Sequence, residues 1–250
     1  MRVLSIDFDY FQNVSEKVLL CYPDGIDNNT TMSEIAWGGR YANPRNEIDK
    51  VGIMKKEFDA IKRKLRTIDP ACPIMIAGSH KHIYDFICGL CDENETLSVV
   101  NVDMHHDFTN DSPELDCGNW LSYLAERQKN GGGKFRFTWV ANPVSASMYD
   151  LDDPDEPDLN LLKSLMLTSL SEIKGRSFDA IFLCRSDTWS PPHLDKYFTE
   201  LCDLMREHFK NGVIEKDIDK PRTMYLEIME GMRQAFKKHN FANFNKENRQ

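Results

Sequence analysis

The sequence predicts an α/β fold, in which a single domain forms three α/β/α layers around a mostly parallel sheet. Five short apolar runs, each ending in polar residues, alternate along the chain with segments of helical periodicity. Strands that alternate with helices are typical of parallel sheets covered on both faces. A chain of 250 residues is long enough for one such domain with a full core, so we expect one domain over residues 1–250.

The apolar runs are predicted to be strands because each is short and ends in a polar cluster. In chain order the strands cover residues 3–9, 73–80, 97–105, 134–141 and 179–186. The segments between them carry apolar residues at helical spacing. The predicted helices cover residues 47–69, 83–92, 120–128, 160–170, 194–210 and 221–238.

Two stretches are predicted to be loops. Residues 21–46 contain Pro, Gly and Asn together with Trp37-Gly-Gly-Arg40, and residues 150–158 are strongly acidic. We favour a solvated surface loop for the acidic stretch, with the binding of a basic peptide as the sharper alternative. The polar residues 240–250 are expected to fray.

The charge and hydropathy of the chain exclude some classes of function. The net charge of −9 argues against general nucleic-acid binding, because neutralising phosphates requires clustered Lys and Arg. The N-terminal apolar run carries acids, so it does not read as a signal peptide, and no stretch has the length of a membrane span. We therefore expect a cytoplasmic protein with no membrane partner.

The seven cysteines predict free thiols rather than a disulfide framework or a zinc site. Their number is odd, and several lie in apolar stretches, as buried thiols do in a reducing compartment. Cys88 and Cys91 form a CxxC spacing, but no second Cys or His pair lies at zinc-site distance. We reject a structural zinc there.

Acids and histidines collect at the predicted carboxyl ends of the strands. Asp103, His105 and Asp107 alternate after the third strand, so an extended chain would turn all three toward one locus and His106 away from it. Because the carboxyl ends of parallel strands share one edge of the sheet, acids from other strands are expected to meet them there.

The first two strands add three residues to this edge. Asp7 and Asp9 repeat the alternating pattern, and His80 ends the second strand. An Asp at a strand end often caps a helix or turn, and a lone His is more often structural than a ligand. However, burying adjacent acids without a cation is costly, and carboxylates with imidazole suit Mn²⁺ or similar ions. We therefore predict a metal centre built from Asp7, Asp9, His80, Asp103, His105 and Asp107.

These motifs resemble the arginase side of the arginase/deacetylase superfamily. In that family a metal-binding His precedes Asp-x-His-x-Asp, and Ser-Gly-Asn lies in the next loop. Here the interval from His80 to Asp103 is 23 residues, and Cys117-Gly-Asn119 stands in the Ser-Gly-Asn place. Ser5-Ile-Asp-Phe-Asp9 resembles the family's last metal motif, Ser-Phe-Asp-x-Asp.

That last motif comes first in this chain, so the resemblance implies an arginase-like sheet with a permuted strand order. The permutation would place the first strand beside the Asp103 strand. The DxDYF strand, the Trp120 segment and residues 185–192 are similar to the peptide arginases, which tailor ribosomally made peptides (RiPPs) by converting arginine side chains to ornithine. The resemblance covers residues 1–11 and 75–125 well and 179–198 moderately.

The resemblance implies a reaction and its metals. Two Mn²⁺ ions would activate water to hydrolyse the guanidinium of an arginine in a precursor peptide, releasing urea and leaving ornithine. Asp107 would orient the attacking water. Asp103 and Asp7 would bridge the ions, His80 and Asp107 would complete one, and His105 and Asp9 would complete the other. Relatives often form oligomers, so a homo-oligomer is a further expectation.

The resemblance leaves the proton shuttle open. The family's shuttling His lies just after its Gly-Asn pair, where this chain has Trp120 and Leu121. His82, His106 and His193 remain candidates, and His106 is the one carried forward as catalytic.

Substrate contacts are also carried over by resemblance. Asp187 is expected to hold the guanidinium, although a cap or turn is about as plausible there. Asn119 is expected to orient the substrate. Trp37 and Trp189 are expected to wall the entrance, although core packing is the usual role of such residues.

Three alternatives stay open. The same metals could serve another ureohydrolase or a deacetylase of the superfamily. A phosphatase-type hydrolase would use Asp7 and Asp9 as its nucleophile pair, but that class requires Thr or Val at the position of Phe11, and it leaves His80 and Asp103 unexplained. A non-catalytic metal-binding scaffold could dock peptides through the acidic loop.

Overall fold

A computed structural model of the chain describes residues 1–23, 30–109, 112–149, 162–173, 177–218 and 222–247. Its main sheet has seven strands in the order β7-β6-β5-β1-β8-β4-β9, and all of its strand pairs are parallel. A short antiparallel pair, β2 and β3, lies apart from it. The strands are β1 (Arg2–Asp7), β2 (Gln12–Asn13), β3 (Gly52–Ile53), β4 (Ile74–Ala77), β5 (Thr96–Asp103), β6 (Lys134–Ala141), β7 (Met166–Leu167), β8 (Ala180–Cys184) and β9 (Val213–Lys216).

Helices flank the sheet. The α-helices are α1 (Glu16–Leu19), α2 (Thr30–Ala42), α3 (Lys55–Leu65), α4 (His82–Cys88), α5 (Trp120–Asn130), α6 (Ser145–Met148), α7 (Asp195–His208) and α8 (Met224–Glu247). Short 3-10 turns cover Phe8–Phe11, Pro44–Asn46, Ile48–Lys50, Leu170–Glu172 and Pro192–Leu194. Within the described ranges, none of these helices combines the length and the apolar character needed to cross a membrane.

The sheet separates two hydrophobic clusters, which confirms the predicted three layers. Side chains of β1 alternate between them, with Leu4 in one and Val3 in the other. The cluster that contains Leu4 packs against α3 and α7 through residues such as Phe58 and Phe198. The cluster that contains Val3 packs against α4 and α5 through residues such as Ile83.

The five predicted strands are all present, and β1 lies inside the sheet between two of them. It pairs with β5 on one side, with Ile6 opposite Val102, and with β8 on the other, with Asp7 opposite Cys184. The first strand of the chain therefore lies directly beside the Asp103 strand, as the sequence predicted.

The prediction of a loop over residues 21–46 was wrong for its second half, which forms α2. A Gly38-Gly39 pair lowers helix propensity, but tertiary contacts override it. A Cβ on Gly38 would lie 2.6 Å from Ile228 of α8, so glycine permits the close approach of these two helices. Packing against α8 thus stabilises a helix that local sequence disfavours.

The helix predicted over residues 160–170 was also wrong in part. Residues 162–165 are helical, but the chain then forms β7 and a 3-10 turn at Leu170–Glu172. The last helix begins later than predicted and continues to Glu247, so most of the stretch expected to fray is helical. The acidic stretch 150–158 lies outside the described residues.

Candidate metal centre

The candidate centre lies at the carboxyl ends of four neighbouring strands, β5, β1, β8 and β4. Asp103 ends β5 and Asp7 ends β1, while His80 and Ser186 follow β4 and β8 by a few residues. This edge of a parallel sheet is where such folds bind ligands. The six predicted ligands therefore come from three separate parts of the chain that the topology brings together.

At the end of β1 the chain turns so that Asp7 and Asp9 face the same place. The Oδ1 of Asp7 accepts a hydrogen bond from the backbone N–H of Asp9 at 3.1 Å and caps the 3-10 turn. The Oδ1 of Asp9 accepts one from the N–H of Met104 at 3.1 Å. Its Oδ2 is buried and accepts no hydrogen bond from the part of the chain described. Its nearest described donor is Nδ1 of His105 at 2.9 Å, and the two atoms could bind one cation together.

The Asp-x-His-x-Asp motif converges through a bend, not through the extended alternation that the sequence suggested. β5 ends at Asp103, whose Oδ1 accepts a hydrogen bond from the backbone N–H of His105 at 2.7 Å. Asp107 adopts a left-handed backbone with φ of 53°. Non-glycine residues held in this conformation cluster at functional sites.

The carboxylate of Asp103 lies between two sets of donor atoms. Its Oδ2 lies 3.2 Å from Nδ1 of His80, which also lies 3.1 Å from Oδ2 of Asp7. Its Oδ1 faces the other way, 3.6 Å from Nδ1 of His105.

Two residues complete these sets. The Nδ1 of His105 lies 2.9 Å from Oδ2 of Asp9. The Oδ2 of Asp107 lies 2.9 Å from Nδ1 of His80. In each of the triads Asp7/His80/Asp103 and Asp9/Asp103/His105 the donor atoms lie within 4.8 Å of one another, so each could hold a metal ion.

Neighbouring side chains orient His80. Its Nε2 lies 2.7 Å from the hydroxyl oxygen of Ser5, and its ring stacks on Phe182 at 5.6 Å between centroids. When Nε2 carries the proton and donates it to Ser5, the lone pair of Nδ1 points at the carboxylates. Such an outer hydrogen bond selects the tautomer that ligates a metal.

Two further donors orient the carboxylates. Ser186 donates its hydroxyl hydrogen to Oδ2 of Asp7, and Ser186 itself has a left-handed φ of 49°. The indole N–H of Trp120 donates to Oδ2 of Asp107 at 2.6 Å. Backbone strain at Ser186 and Asp107 costs stability and is retained because it aims these side chains.

The cluster concentrates negative charge in the interior, and the pKa values of Asp9, Asp107, His80 and His105 are raised there. Burial raises the pKa of Asp9 well above its usual range, and the carboxylates of Asp7 and Asp103 raise it further. Burial and Asp103 raise the pKa of Asp107 to about 7.

The two imidazoles take up protons as well. Burial alone would lower the pKa of His80, but the carboxylates around it, Asp107 first, raise it well above 6.5. Burial also lowers the pKa of His105, but Tyr149, Asp9 and Asp103 outweigh it, so the pKa is raised well above 6.5. Asp103 behaves in the opposite way, since the two imidazoles lower its pKa despite burial.

These residues fit a divalent cation. Four buried carboxylates around two imidazoles leave excess negative charge unless protons or cations balance it. Carboxylate and imidazole donors suit Mn²⁺ and similar ions. The buried Oδ2 of Asp9 and Nδ1 of His105 lie 2.9 Å apart, so both atoms face a position where one cation could bind them.

A cavity of about 130 Å³ opens onto the cluster. Trp189, predicted to contact substrate, lies in its wall with the ring 4.4 Å from that of His105. The described residues of the lining are Asp7, His80, His105, Asp107, Thr109, Cys117, Gly118, Tyr149, Ser186 and Trp189.

The structure places Asp187 differently from the expectation. Both of its carboxylate oxygens are bound by the guanidinium of Arg185, at 2.5 Å and 3.1 Å, and it does not line the cavity. Its backbone oxygen accepts hydrogen bonds from Trp37 and Arg222. Asp187 therefore does not face the cavity, where it was expected to hold a substrate guanidinium. Trp37 lies in the core instead of at an entrance.

Asn119 also lies outside the cavity lining. Its side chain accepts a hydrogen bond from the N–H of Asp116 at 2.8 Å and donates one to the carbonyl of Glu114 at 2.8 Å. These bonds close the loop that precedes α5. Asn119 therefore orders the loop that carries Cys117 and Gly118 into the lining, in place of the expected contact with substrate.

The histidines considered as proton shuttles lie outside the lining too. The ring of His106 packs against Trp139 and Tyr149, and its Nδ1 accepts from the N–H of Phe108 at 3.0 Å. His82 pairs with Asp217 at 2.8 Å. His193 is held by Tyr41 and by the carbonyl of Val51. Of the three, His106 lies nearest to the cavity, since its ring contacts Tyr149 of the lining.

Ser5, Ser186 and Tyr149 are site residues that the sequence reasoning did not assign. Ser5 shares the parity of Asp7 on a buried strand, which is a usable signal for a polar contact at the site. The contact of Ser186 depends on the pairing of β8 with β1, which the sequence does not specify. Tyr149 enters the lining from the end of α6, and burial raises the pKa of its phenol, so it stays protonated as a hydrogen-bond donor.

Comparisons with known proteins returned no match: none with a protein-family model, none with a curated protein and none with a solved structure. The function of this centre therefore has to be inferred from its own residues and geometry.

Proposed function

We propose that this protein is a binuclear metal hydrolase that cleaves the guanidinium of an arginine residue in a peptide, leaving ornithine and releasing urea, with Mn²⁺ as the metal. The observation that carries the proposal is the position of Asp103, whose two carboxylate oxygens face two separate sets of donors. The similarity of the motifs to those of peptide arginases supports the choice of substrate.

The donor sets suit a pair of divalent cations that share Asp103. The chemistry such a pair supplies when bound is Lewis acidity, which lowers the pKa of water toward neutrality. Asp7, His80 and Asp107 surround one position, and Asp9 and His105 the other. Ser5, Ser186 and Trp120 hold these ligands in place, so the site is preorganised.

The residues of the lining suit the hydrolysis of a planar cation. Aromatic faces attract guanidinium groups, and Trp189 and Tyr149 line the cavity. Hydrolysis adds the oxygen of water to the guanidinium carbon, breaks a C–N bond and delivers a proton to the leaving nitrogen. Asp107 lines the cavity as a hydrogen-bond acceptor for the attacking water, and the Tyr149 hydroxyl is a donor for the nitrogen that departs.

Urea release tests the proposal directly. We expect the Mn²⁺-loaded protein to release urea from an arginine-containing peptide faster than from free arginine. Asp103→Asn is expected to lose activity by at least about 100-fold and to bind less metal, because both donor sets lose a shared charge. Asp203→Asn, which changes a carboxylate exposed on α7, serves as the matched control and is expected to retain both properties.

The metal content of two variants distinguishes a carboxylate shared by both donor sets from one that belongs to a single set. Asp9→Asn alters only one donor set, so it is expected to retain more metal than Asp103→Asn when both are measured by elemental analysis. Full urea release by the Asp103→Asn variant after metal stripping and reloading would rule out the proposal.

A deacetylase acting on acyl-lysine is the second candidate. Among the described residues, the carboxylates in the cavity wall are Asp7 and Asp107, which are both predicted ligands, so no further acid is placed there to pair with a guanidinium. A neutral acyl group would not need one. Acetate release from an acetyl-lysine peptide, in the absence of urea from the arginine peptide, would favour this alternative.

A further inference from the structure

A second depression adjoins the metal cavity. Its volume is about 570 Å³, which lies in the range of pockets that bind organic ligands. It lies where the end of α1 and the segment after it approach α2, α6 and Trp189. The groove is lined by Glu16, Leu19, Leu20, Tyr22, Arg40, Ser147, Met148 and Trp189.

The groove and the metal cavity share a wall. Trp189 lines both of them. The consecutive residues Met148 and Tyr149 divide between them, with Met148 in the groove and Tyr149 in the cavity. The wall between the two depressions is therefore one side chain thick, and a ligand that occupies both passes over it.

The groove exposes apolar side chains that a stable fold would otherwise cover. Leu20 is 88% exposed, the most exposed large hydrophobic residue in the described part of the chain. Leu19 and Met148 are half-buried beside it. Apolar surface collected around a groove marks a binding site, whereas single exposed leucines need no explanation. Among the described residues of the lining, Glu16 and Arg40 carry opposite charges, so these residues favour neither an anionic nor a cationic ligand.

We propose that this groove binds an apolar side chain of the substrate peptide within two positions of the reacting arginine. The inference rests on the proposed function, because that function places the arginine in the metal cavity. In an extended peptide, side chains two positions apart point the same way and are separated by about 7 Å. Because Trp189 lines both depressions, a peptide with its arginine in the cavity can place such a neighbouring side chain in the groove, which selects peptides with Leu, Ile, Met or Phe near the arginine.

Two synthetic peptides test the inference. The first places leucine at both positions on each side of one arginine, and the second places serine at those four positions. We expect kcat/KM for urea release to be about tenfold higher for the leucine peptide, since losing one well-placed apolar contact costs about 10-fold or more. Equal kcat/KM values for the two peptides would overturn the inference and leave the proposed function intact.

Surface variants locate the effect. Leu20→Ser is expected to lower the preference for the leucine peptide by at least about threefold. Leu90→Ser changes a leucine that is 43% exposed and does not line the groove, so it should leave the preference unchanged. An unaltered preference in Leu20→Ser would contradict the inference. Loss of self-association in Leu20→Ser, measured by sedimentation with an unchanged peptide preference, would assign the groove to a second copy of this chain.

Binding measurements keep the two proposals distinguishable. Titration of the metal-free protein with each peptide, followed by calorimetry, reports the groove without any turnover. Tighter binding of the leucine peptide, together with no urea from either peptide, would overturn guanidinium hydrolysis and retain the groove as a site for apolar peptide segments. Equal binding of both peptides and no urea would overturn both.

Discussion

Ser5 contacts the candidate metal centre through His80, because its hydroxyl lies 2.7 Å from Nε2 and so selects which ring nitrogen faces the carboxylates. Ser5→Ala removes that partner and leaves a small side chain in a fully buried position. We expect Mn²⁺ affinity to fall by about tenfold with the fold retained, as is typical when an outer hydrogen bond to a metal-ligating histidine is lost. Calorimetric titration with Mn²⁺ gives the affinity, and circular dichroism checks the fold.

Ser190→Ala is the matched control for Ser5→Ala. Ser190 is also fully buried, but its hydroxyl finds no hydrogen-bond partner within the described ranges. Its replacement should leave Mn²⁺ affinity unchanged. If both serine variants bind Mn²⁺ as the wild type does, the tautomer of His80 is not set by Ser5.

At the same scale, residue type and position were enough to predict the five residues of the two candidate metal triads, with Asp107 beside them, but not the groups around them. Asp7, His80 and Asp103 are recognisable because charged residues directly follow apolar runs. The pairing of Asp187 with Arg185 could not be predicted, because a strand-end carboxylate looks the same in sequence whether it faces a cavity or a neighbouring guanidinium. Only the bend after β8 decides which of the two it faces.

Among the elements, α2 shows how tertiary contact can override local preference, and its two glycines give a matched test. A Cβ on Gly38 would meet Ile228 at 2.6 Å and the carbonyl oxygen of Tyr225 at 3.0 Å. Gly38→Ala therefore forces α8 away, and we expect the free energy of unfolding to fall by about 1–3 kcal/mol. Urea denaturation, followed by circular dichroism, measures this change.

Gly39 lies next to Gly38 on the same helix but has room for a methyl group. The nearest atom to its added Cβ is Sδ of Met232 at 3.7 Å, an ordinary contact. Gly39→Ala should raise the free energy of unfolding by up to about 1 kcal/mol, since alanine favours the helix. Equal effects of the two substitutions would show that α2 and α8 are not packed closely at Gly38.

The two strands of the main sheet that the sequence did not predict share a physical cause. β7 has two residues and β9 has four, and each lies at an edge of the sheet, where burial imposes little pattern on the residues. The buried strands β1 and β8 are recognisable in the sequence because both of their faces must be apolar. Buried strands thus carry a strong apolar pattern in the sequence, and edge strands carry a weak one.

For the whole molecule, the sequence was sufficient for the fold class and for the position of the first strand. The motif resemblance implies a place for that strand beside the Asp103 strand, and β1 lies there, between β5 and β8. The remaining sheet order does not follow from local patterns, because it depends on which helices cross which face. The whole fold contributes to the centre by bringing charged side chains from three distant parts of the chain to one edge of the sheet.

The charge gathered at that edge makes the stability of the whole protein depend on pH in a way that metal reverses. In the metal-free protein the pKa values of Asp9, Asp107, His80 and His105 are raised above their usual values, Asp107 to about 7. Folding then takes up protons, so stability declines as pH rises above about 4 for the carboxyls and above about 6.5 for the imidazoles. Asp103 has the opposite sign because its pKa is lowered, but its contribution is lost only in acid.

We therefore expect the Tm of the metal-free protein to be lower at pH 8.5 than at pH 5.5. Mn²⁺ binds deprotonated ligands, so its stabilising effect grows with pH. At about 100 times its Kd the ion adds about 2.7 kcal/mol, a rise in Tm of about 5–10 °C at pH 8.5, and it adds little at pH 5.5. Differential scanning calorimetry at both pH values, with EDTA or with Mn²⁺, measures the four Tm values. Asp103→Asn should lose most of the Mn²⁺ effect, and a Tm increment that is the same at both pH values would place the bound ion away from these carboxylates.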